Sequence, residues 1–290
     1  MIYDCFTFFN ELELLEVRLH ELGGVVDKFV LVEATRTHTN QPKPLYYEEN
    51  RVRFAGFTDK IIHIVVHDLP NVSDPWVLDR FQRNCIARGL KGCRPDDLIL
   101  ISDADEIPRA SVVDKVNREM AFSNGLIATG IHYALNSKLA QNVLQLKGLR
   151  RLWRKNHPFV WKLQQNQFCY FLNCRSSAVW YGTRMTRFRD FSCAEEIFRS
   201  GRKYFTEGGW HFTWMGGADR VRQKLGAIAH QENNYRQFTE FEDLERTINE
   251  GISSFDQGQS GRLEFVALDN SFPSYVLEHT EKYSNWLRSV

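Results

Sequence analysis

Two aspartates that follow an apolar run are the residues of this 290-residue chain with the clearest chemical meaning. The run from Leu98 to Ile101 does not alternate apolar and polar residues, which is typical of a strand covered on both faces of a sheet. Asp103 and Asp105 come directly after it. Ligands of open α/β sheets bind beyond the carboxyl ends of the strands, and carboxylate oxygens are good ligands for divalent cations. The pattern therefore predicts a cation here that would hold a diphosphate.

A helix cap is the alternative interpretation of the same residues. Ser102 or Asp103 could cap a helix that begins near Pro108, because Ser and Asp are common caps and Pro is common in a first helical turn. The Asp-x-Asp pattern is short and frequent by chance. Taken alone it favours the cap, so the surrounding elements have to decide.

Predicted strands and helices alternate through the first hundred residues. The apolar patterns and turn signals predict strands over 2–9, 28–33, 61–66 and 98–102, and helices over 11–22 and 76–90. This order predicts an α/β fold with a doubly wound mixed sheet. One edge of that sheet would then carry four polar side chains, those of Asn10, Glu33, Asp68 and Asp103.

Composition and missing motifs narrow the possible functions. Lys and Arg number 37 against 36 Asp and Glu, a balance that gives no electrostatic case for nucleic acid. Six scattered cysteines without a C-x-x-C pair argue against a zinc knuckle and for reduced thiols. No glycine-rich phosphate loop is present, so phosphate recognition is expected from a metal and basic side chains. No run reaches the length of a membrane span, and a cytoplasmic protein is expected.

Six blocks in a fixed order resemble glycosyltransferase family 17. They cover residues 3–11, 32–38, 82–84, 102–108, 209–212 and 230–232. The resemblance implies a GT-A-like fold with a helical C-terminal cover, and one catalytic domain over 1–290. Within it, 1–108 would bind the nucleotide-sugar and 109–290 would form the acceptor side. The implied reaction is an inverting transfer of a sugar, N-acetylglucosamine by family, from a UDP-sugar to a glycan acceptor, with Mn²⁺ or Mg²⁺ as cofactor.

The resemblance also implies roles for individual residues. Asp103, Asp105 and His211 would bind the metal, although a histidine among aromatic residues is more often a core residue. The implied nucleotide-sugar contacts are Phe8, Asn10, Glu33, Asp68, Arg83, Asn84, Asp103, Ala104 and Asp105. Arg83 also has a simpler interpretation as half of an ion pair on a helix surface. The acceptor would contact Trp210, Trp214 and Tyr133, whose flat rings suit sugar stacking.

An inverting transfer needs a carboxylate that takes the proton of the acceptor hydroxyl. The candidates carried forward are Glu232, Glu196 and Glu106, and the sequence leaves the choice among them open.

Two other functions fit parts of this pattern. Another metal-dependent nucleotide enzyme, such as a nucleotidyltransferase or phosphohydrolase, would also use aspartates at strand ends. A non-catalytic carbohydrate-binding module of transferase-like fold would keep the fold without the base. For a transferase, the expected acceptor is a glycan or glycolipid, met in the cytoplasm or peripherally at the inner face of a membrane.

Overall fold

The computed structural model describes residues 1–120, 160–201, 203–231, 241–252 and 263–290. Four strands and three helices alternate in the N-terminal part, and the sequence predicts all of them except the short helix Tyr46–Glu49. They are β1 (Ile2–Phe8), α1 (Leu12–Leu22), β2 (Lys28–Ala34), α2 (Tyr46–Glu49), β3 (Ile61–Val66), α3 (Pro75–Asn84) and β4 (Leu98–Asp103). The predicted helix 76–90 is shorter as an α-helix, because a 3₁₀ segment (Cys85–Leu90) follows α3. The side chain of Asp74 caps α3 by accepting the N–H of Trp76 at 2.9 Å.

Short strands and helices make up the rest of the described chain. They are β5 (Glu106–Pro108), β6 (Trp161–Cys169), β7 (Cys174–Arg187), α4 (Ala194–Arg199), β8 (Lys203–Phe205), β9 (Gly209–Thr213), α5 (Gly217–Ala227), α6 (Phe241–Glu250), β10 (Leu263–Phe265) and α7 (Ser274–Glu278). No helix among the described residues is long and apolar enough to cross a membrane.

The strands form one mixed sheet in the order β3-β2-β1-β4-β7-β6-β9-β5. The first four of these strands are parallel, whereas β7 runs antiparallel to both β4 and β6. Strand β5 pairs antiparallel with β9, and β8 and β10 add to β6 and β7. The predicted α/β class with a mixed sheet is therefore confirmed.

Helices pack on both faces of the parallel strands. Phe6 of β1 and Leu15 of α1 lie in one buried cluster, while Cys5 of β1 and Leu78 of α3 lie in the other. The apolar runs of β1, β2 and β4 are buried for this reason.

The helix-cap interpretation of Ser102 and Asp103 is wrong. The chain forms strand β5 after these residues, and the next helix begins only at residue 110. Strand β5 forms because Ile107 is buried against β9, where it pairs with Trp210. Asp103 is thus the last residue of β4, and Asp105 lies in the two-residue turn that leads to β5.

All six cysteines are free thiols, and four of them are buried, as predicted.

Candidate active site

A cavity of about 720 Å³ opens at the carboxyl ends of β1 and β4. Its lining comes from the N-terminal parallel strands and α3 on one side and from β7, β9, α4 and α5 on the other. Eight of the residues singled out in the sequence line it: Phe8, Arg83, Asp103, Ala104, Asp105, Glu106, His211 and Trp214. The fold therefore brings the Asp-x-Asp turn together with residues from more than one hundred positions further along the chain.

The buried side chain of Arg18 fixes the Asp-x-Asp turn through hydrogen bonds to its backbone. The side chain is fully buried and pairs with Asp4 through two hydrogen bonds of 2.6 and 2.7 Å. The same guanidinium donates to the backbone carbonyls of Asp103 at 3.0 Å, Ala104 at 3.3 Å and Glu106 at 2.9 Å. A guanidinium has five donors in a rigid fork, so one side chain can fix several carbonyls at once. The turn is thus a positioned structure rather than a free loop.

Asp103 is paired with Arg83. The guanidinium lies 2.9 Å from Asp103 Oδ1 and also contacts Asp79 at 2.8 Å and Glu195 at 3.0 Å. Burial by itself would raise the pKa of Asp103, but the charge of Arg83 outweighs it and holds that pKa below its usual range. Burial by itself would lower the pKa of Arg83, but its carboxylate partners outweigh burial and raise that pKa above its usual value. Both groups are therefore ionised in the cavity.

Asp105 is paired with Lys224 of α5. Lys224 Nζ lies 2.6 Å from Asp105 Oδ2 and 3.4 Å from Glu11. Burial would lower the pKa of Lys224, but Asp105 and then Glu11 raise it above its usual value. On the other oxygen, Asp105 Oδ1 lies 3.8 Å from Nε2 of His211. A second ion pair therefore lies beside the first.

The described residues do not fit a metal site as they stand. No group of three or more His, Cys, Asp or Glu side chains within the described ranges is arranged to hold a metal ion. Asp105 and His211 come close enough to share one, but an oxygen of Asp105 is held by Lys224, and Asp103 Oδ1 accepts from both Arg83 and Thr7. The predicted metal ligands are thus neighbours, and protein cations occupy the positions beside them.

Glu106 is a buried carboxyl group on the opposite wall. Its oxygens accept the indole N–H of Trp180 at 2.6 Å and the backbone N–H of Asp103 at 3.2 Å. Burial, followed by repulsion from Asp103, raises the pKa of Glu106 to about 8. Trp180 stacks on His211 with ring centroids 4.4 Å apart, and the β5/β9 pairing places Glu106 opposite His211. This carboxyl group can therefore exchange a proton near neutral pH.

Four of the residues proposed to bind the nucleotide lie outside the cavity lining, and three of these, Asp68, Glu33 and Asn10, were predicted at strand ends. Asp68 is exposed and forms an ion pair with Arg88 at 2.7 Å. Glu33 is fully buried on the sheet face that packs against α2, where it accepts the N–H of Tyr47 and lies 3.1 Å from His63. The amide of Asn10 donates to Gln223 at 2.9 Å. Thus only Asp103, of the four polar strand-end residues, lines the cavity.

Asn84 and Trp210 have structural roles, and Glu196 is exposed to solvent. Asn84 lies outside the lining and accepts the N–H of Glu195 at 3.0 Å, at the start of α4. Trp210 is buried, with 1% of its surface exposed, and its indole donates to Ser271, so it is a core residue and not an acceptor contact. Glu196 is exposed outside the lining, whereas its neighbour Glu195 contacts Arg83. Glu232 and Tyr133 lie outside the described residues.

The sequence reasoning missed Lys224, Glu11 and His38 in the cavity lining. Lys224 is one of many lysines, and no local pattern marks it. His38 lies in the block 32–38 that resembles the family, and this position could have indicated a role for it in the site. Its ring lies 2.9 Å from Gln82, and burial lowers the pKa of His38.

Known proteins are similar to the N-terminal part of the chain, which supplies part of this site. Residues 1–133 match the model of glycosyltransferase family 17. Curated relatives from human, rat and mouse, each named beta-1,4-mannosyl-glycoprotein 4-beta-N-acetylglucosaminyltransferase, are 36% identical over 107 residues. The match covers 34% of this chain and 20% of each relative, so it spans about a fifth of their length. No solved structure is significantly similar to the chain. The similarity thus covers the part of the chain that carries Arg83, Asp103 and Asp105.

Proposed function

We propose that the cavity binds a UDP-sugar and transfers its sugar, N-acetylglucosamine, to a hydroxyl group of a glycan acceptor with inversion at the anomeric carbon. The observation that carries the proposal is that the basic side chains of Arg83 and Lys224 and the carboxyl group of Glu106 line a single cavity. The segment that supplies Arg83 and Glu106 is the one that matches the transferase family. The names of the relatives support N-acetylglucosamine as the donated sugar and a mannosyl glycan as the acceptor.

The donor diphosphate is assigned to the side of Arg83 and Lys224. A diphosphate carries negative charge that guanidinium and ammonium groups bind through charge-assisted hydrogen bonds. Arg83 is nearly fully buried, so bulk water screens its charge little. A volume of about 720 Å³ also lies in the range usual for sites that enclose a small organic ligand.

Glu106 is the base that the described residues support best. In the transfer, the acceptor oxygen forms a bond to the anomeric carbon as the bond from that carbon to the diphosphate oxygen breaks. UDP leaves with the electron pair, and the hydroxyl proton passes to the carboxylate of Glu106. Arg83 and Lys224 stabilise the charge that develops on UDP. A carboxylate with a pKa of about 8 is a stronger base than an ordinary one, and it is still partly ionised at neutral pH.

Mn²⁺ or Mg²⁺ stays a prediction from the family resemblance. The carboxylates that would hold the ion are engaged by Arg83 and Lys224, and the steps above use only the residues of this chain. Addition of the ion is therefore a variable of the test.

The test is thermal unfolding of the purified protein with UDP, GDP, ADP or CMP, each with and without Mn²⁺. We expect a rise in melting temperature that is largest with UDP, since a ligand at 100 times its Kd stabilises the folded state by about 2.7 kcal/mol. Arg83→Gln should remove the rise. The exposed Arg118→Gln, which breaks only a surface pair with Asp114, should keep it.

Product analysis separates the rival functions. With UDP-N-acetylglucosamine, a transferase releases intact UDP, whereas an enzyme that attacks phosphorus releases UMP. No stabilisation by any nucleotide would contradict the proposal and would favour a non-catalytic carbohydrate-binding module.

A further inference from the structure

An aromatic patch begins in the cavity lining on β7 and continues onto β8. Trp180 is 37% exposed, Tyr181 is 41% exposed, and Tyr204 of β8 is 54% exposed. The rings of Tyr181 and Tyr204 meet edge to face, with centroids 5.4 Å apart. Val179, 46% exposed, precedes Trp180, and all three β7 residues line the cavity. Large apolar side chains grouped on a surface usually mark a binding site.

The main chain brings this patch against Glu106. Gly182 follows Tyr181, and a Cβ atom at position 182 would overlap the side chain of Gln165 and crowd the carboxyl carbon of Glu106. A side chain at position 182 would therefore have to displace the end of Gln165 or Glu106, and glycine lets β7 run close to the buried carboxyl group. Trp180 completes the connection, since its indole N–H donates to Glu106 at 2.6 Å. A sugar ring that rests on Trp180 therefore lies next to the proposed base.

The chemistry of the patch fits a neutral, hydroxylated ring. A pyranose has an apolar C–H face that packs on aromatic rings and an edge of hydroxyl groups that needs polar partners. Tyr181 and Tyr204 supply the rings, and Gln167 and Arg184 of the cavity lining are polar side chains on neighbouring strands. Arg83 and Lys224, which suit the anionic diphosphate, lie on α3 and α5.

We propose that Trp180, Tyr181 and Tyr204 form an acceptor platform, on which a pyranose ring of the glycan acceptor stacks with a hydroxyl group directed to Glu106. This inference rests on the proposed transfer reaction and replaces Trp210, which is buried, as the main acceptor contact. Trp180 is both part of the platform and the hydrogen-bond donor to Glu106, so the two tyrosines are the residues to test.

The experiment measures glycan and nucleotide binding separately. The full chain, saturated with UDP, is titrated with β-1,4-mannobiose, chitobiose and cellobiose, and binding is followed by saturation-transfer NMR. UDP binding is followed by the thermal shift. We expect at least one disaccharide to bind through its ring C–H protons, and the double variant Tyr181→Ala/Tyr204→Ala to weaken that binding about tenfold. Its UDP shift should stay as in the wild type.

Val52→Ala is the control, because Val52 is 90% exposed and lies outside the cavity lining. It should leave both bindings unchanged. The platform would be overturned if the wild type bound UDP but none of the three disaccharides, or if the double variant bound them as the wild type does. Weakened UDP binding in the double variant would also overturn it, since the rings would then hold the nucleobase. A wild type that binds a disaccharide through these tyrosines but no nucleotide would support the platform and contradict the transfer reaction.

Discussion

The carboxyl groups of the two walls of the cavity have different partners. The cation wall, defined by Arg83, Lys224, Asp103 and Asp105, contains ion pairs in which each carboxylate lies within 3 Å of a cation. The aromatic wall contains Glu106, whose oxygens accept from a neutral indole and a neutral amide. The first wall therefore keeps its groups charged, and the second holds a carboxyl group that can exchange a proton.

This difference separates two carboxyl groups that are three residues apart in the sequence. The pKa of Asp103 is lowered because Arg83 outweighs burial, whereas burial and the charge of Asp103 raise the pKa of Glu106 to about 8. Neighbouring groups with opposite pKa shifts are the usual sign that one stays charged while the other acts in proton transfer. Substitution of Arg18, which supports both walls, and of residues in each wall tests this difference.

The largest effect is expected from Arg18→Met, which removes the support beneath both walls. The change leaves the buried Asp4 without its partner and frees the three carbonyls of the turn. Breaking a buried ion pair in this way costs about 3–5 kcal/mol. Urea denaturation at neutral pH measures the loss, with Arg118→Met as a surface control that should change stability by less than about 1 kcal/mol. A variant as stable as the control would mean that Arg18 does not hold the turn.

Glu106→Gln tests the aromatic wall. Loss of the base should lower the transfer rate by about 10²–10⁴-fold while UDP binding persists. The wild-type rate should rise as the pH increases through about 8, because only the ionised form accepts a proton. The rate is measured from UDP release with a glycan acceptor, and the exposed Glu196→Gln serves as the control. Normal transfer by Glu106→Gln would move the base role to Glu232.

The same variant gives a second, independent result on stability. A carboxyl group with a raised pKa binds its proton more tightly in the folded protein than in the unfolded chain. The stabilisation from Glu106 is therefore complete below about pH 4.5 and is lost as the pH rises toward 8. The wild-type melting temperature should fall more steeply than that of Glu106→Gln between these pH values. Parallel curves would show that the pKa of Glu106 is not raised.

Most of the cation wall and Glu106 of the aromatic wall were predictable from the sequence, whereas Lys224 and the choice among the aromatic rings were not. Asp103, Asp105 and Arg83 follow or precede apolar patterns that define β4 and α3, so their place at one sheet edge could be inferred. Glu33 shows the limit of that argument. Its fully buried carboxylate accepts the N–H of Tyr47 and lies 3.6 Å from Lys43, so Lys43 lines the cavity and Glu33 does not. Trp210 and Trp180 could not be told apart by type, since only the pairing of β5 with β9 and of β6 with β7 decides which ring is buried.

Lys224→Gln is expected to have a moderate effect on the cation wall. The variant removes one of the two charges assigned to the diphosphate, so UDP affinity should fall by about tenfold, the size expected for one charge-assisted contact. Isothermal titration with UDP measures this change. Lys91→Gln, at an exposed lysine outside the lining, should leave the affinity unchanged. Equal affinities in the two variants would remove Lys224 from the diphosphate site.

The smallest effect is expected from Asp68→Asn. Asp68 stands at a strand end like Asp103, but its carboxylate is exposed and pairs with Arg88 outside the cavity. Since exposed pairs contribute little and this one is remote from the diphosphate, UDP affinity should stay within about twofold of the wild type. A clear loss of affinity would mean that the nucleotide extends past the cavity to the end of β3. The cation wall would then be longer than the residues that line the cavity, and Asp68 would regain the role that its position in the sequence suggests.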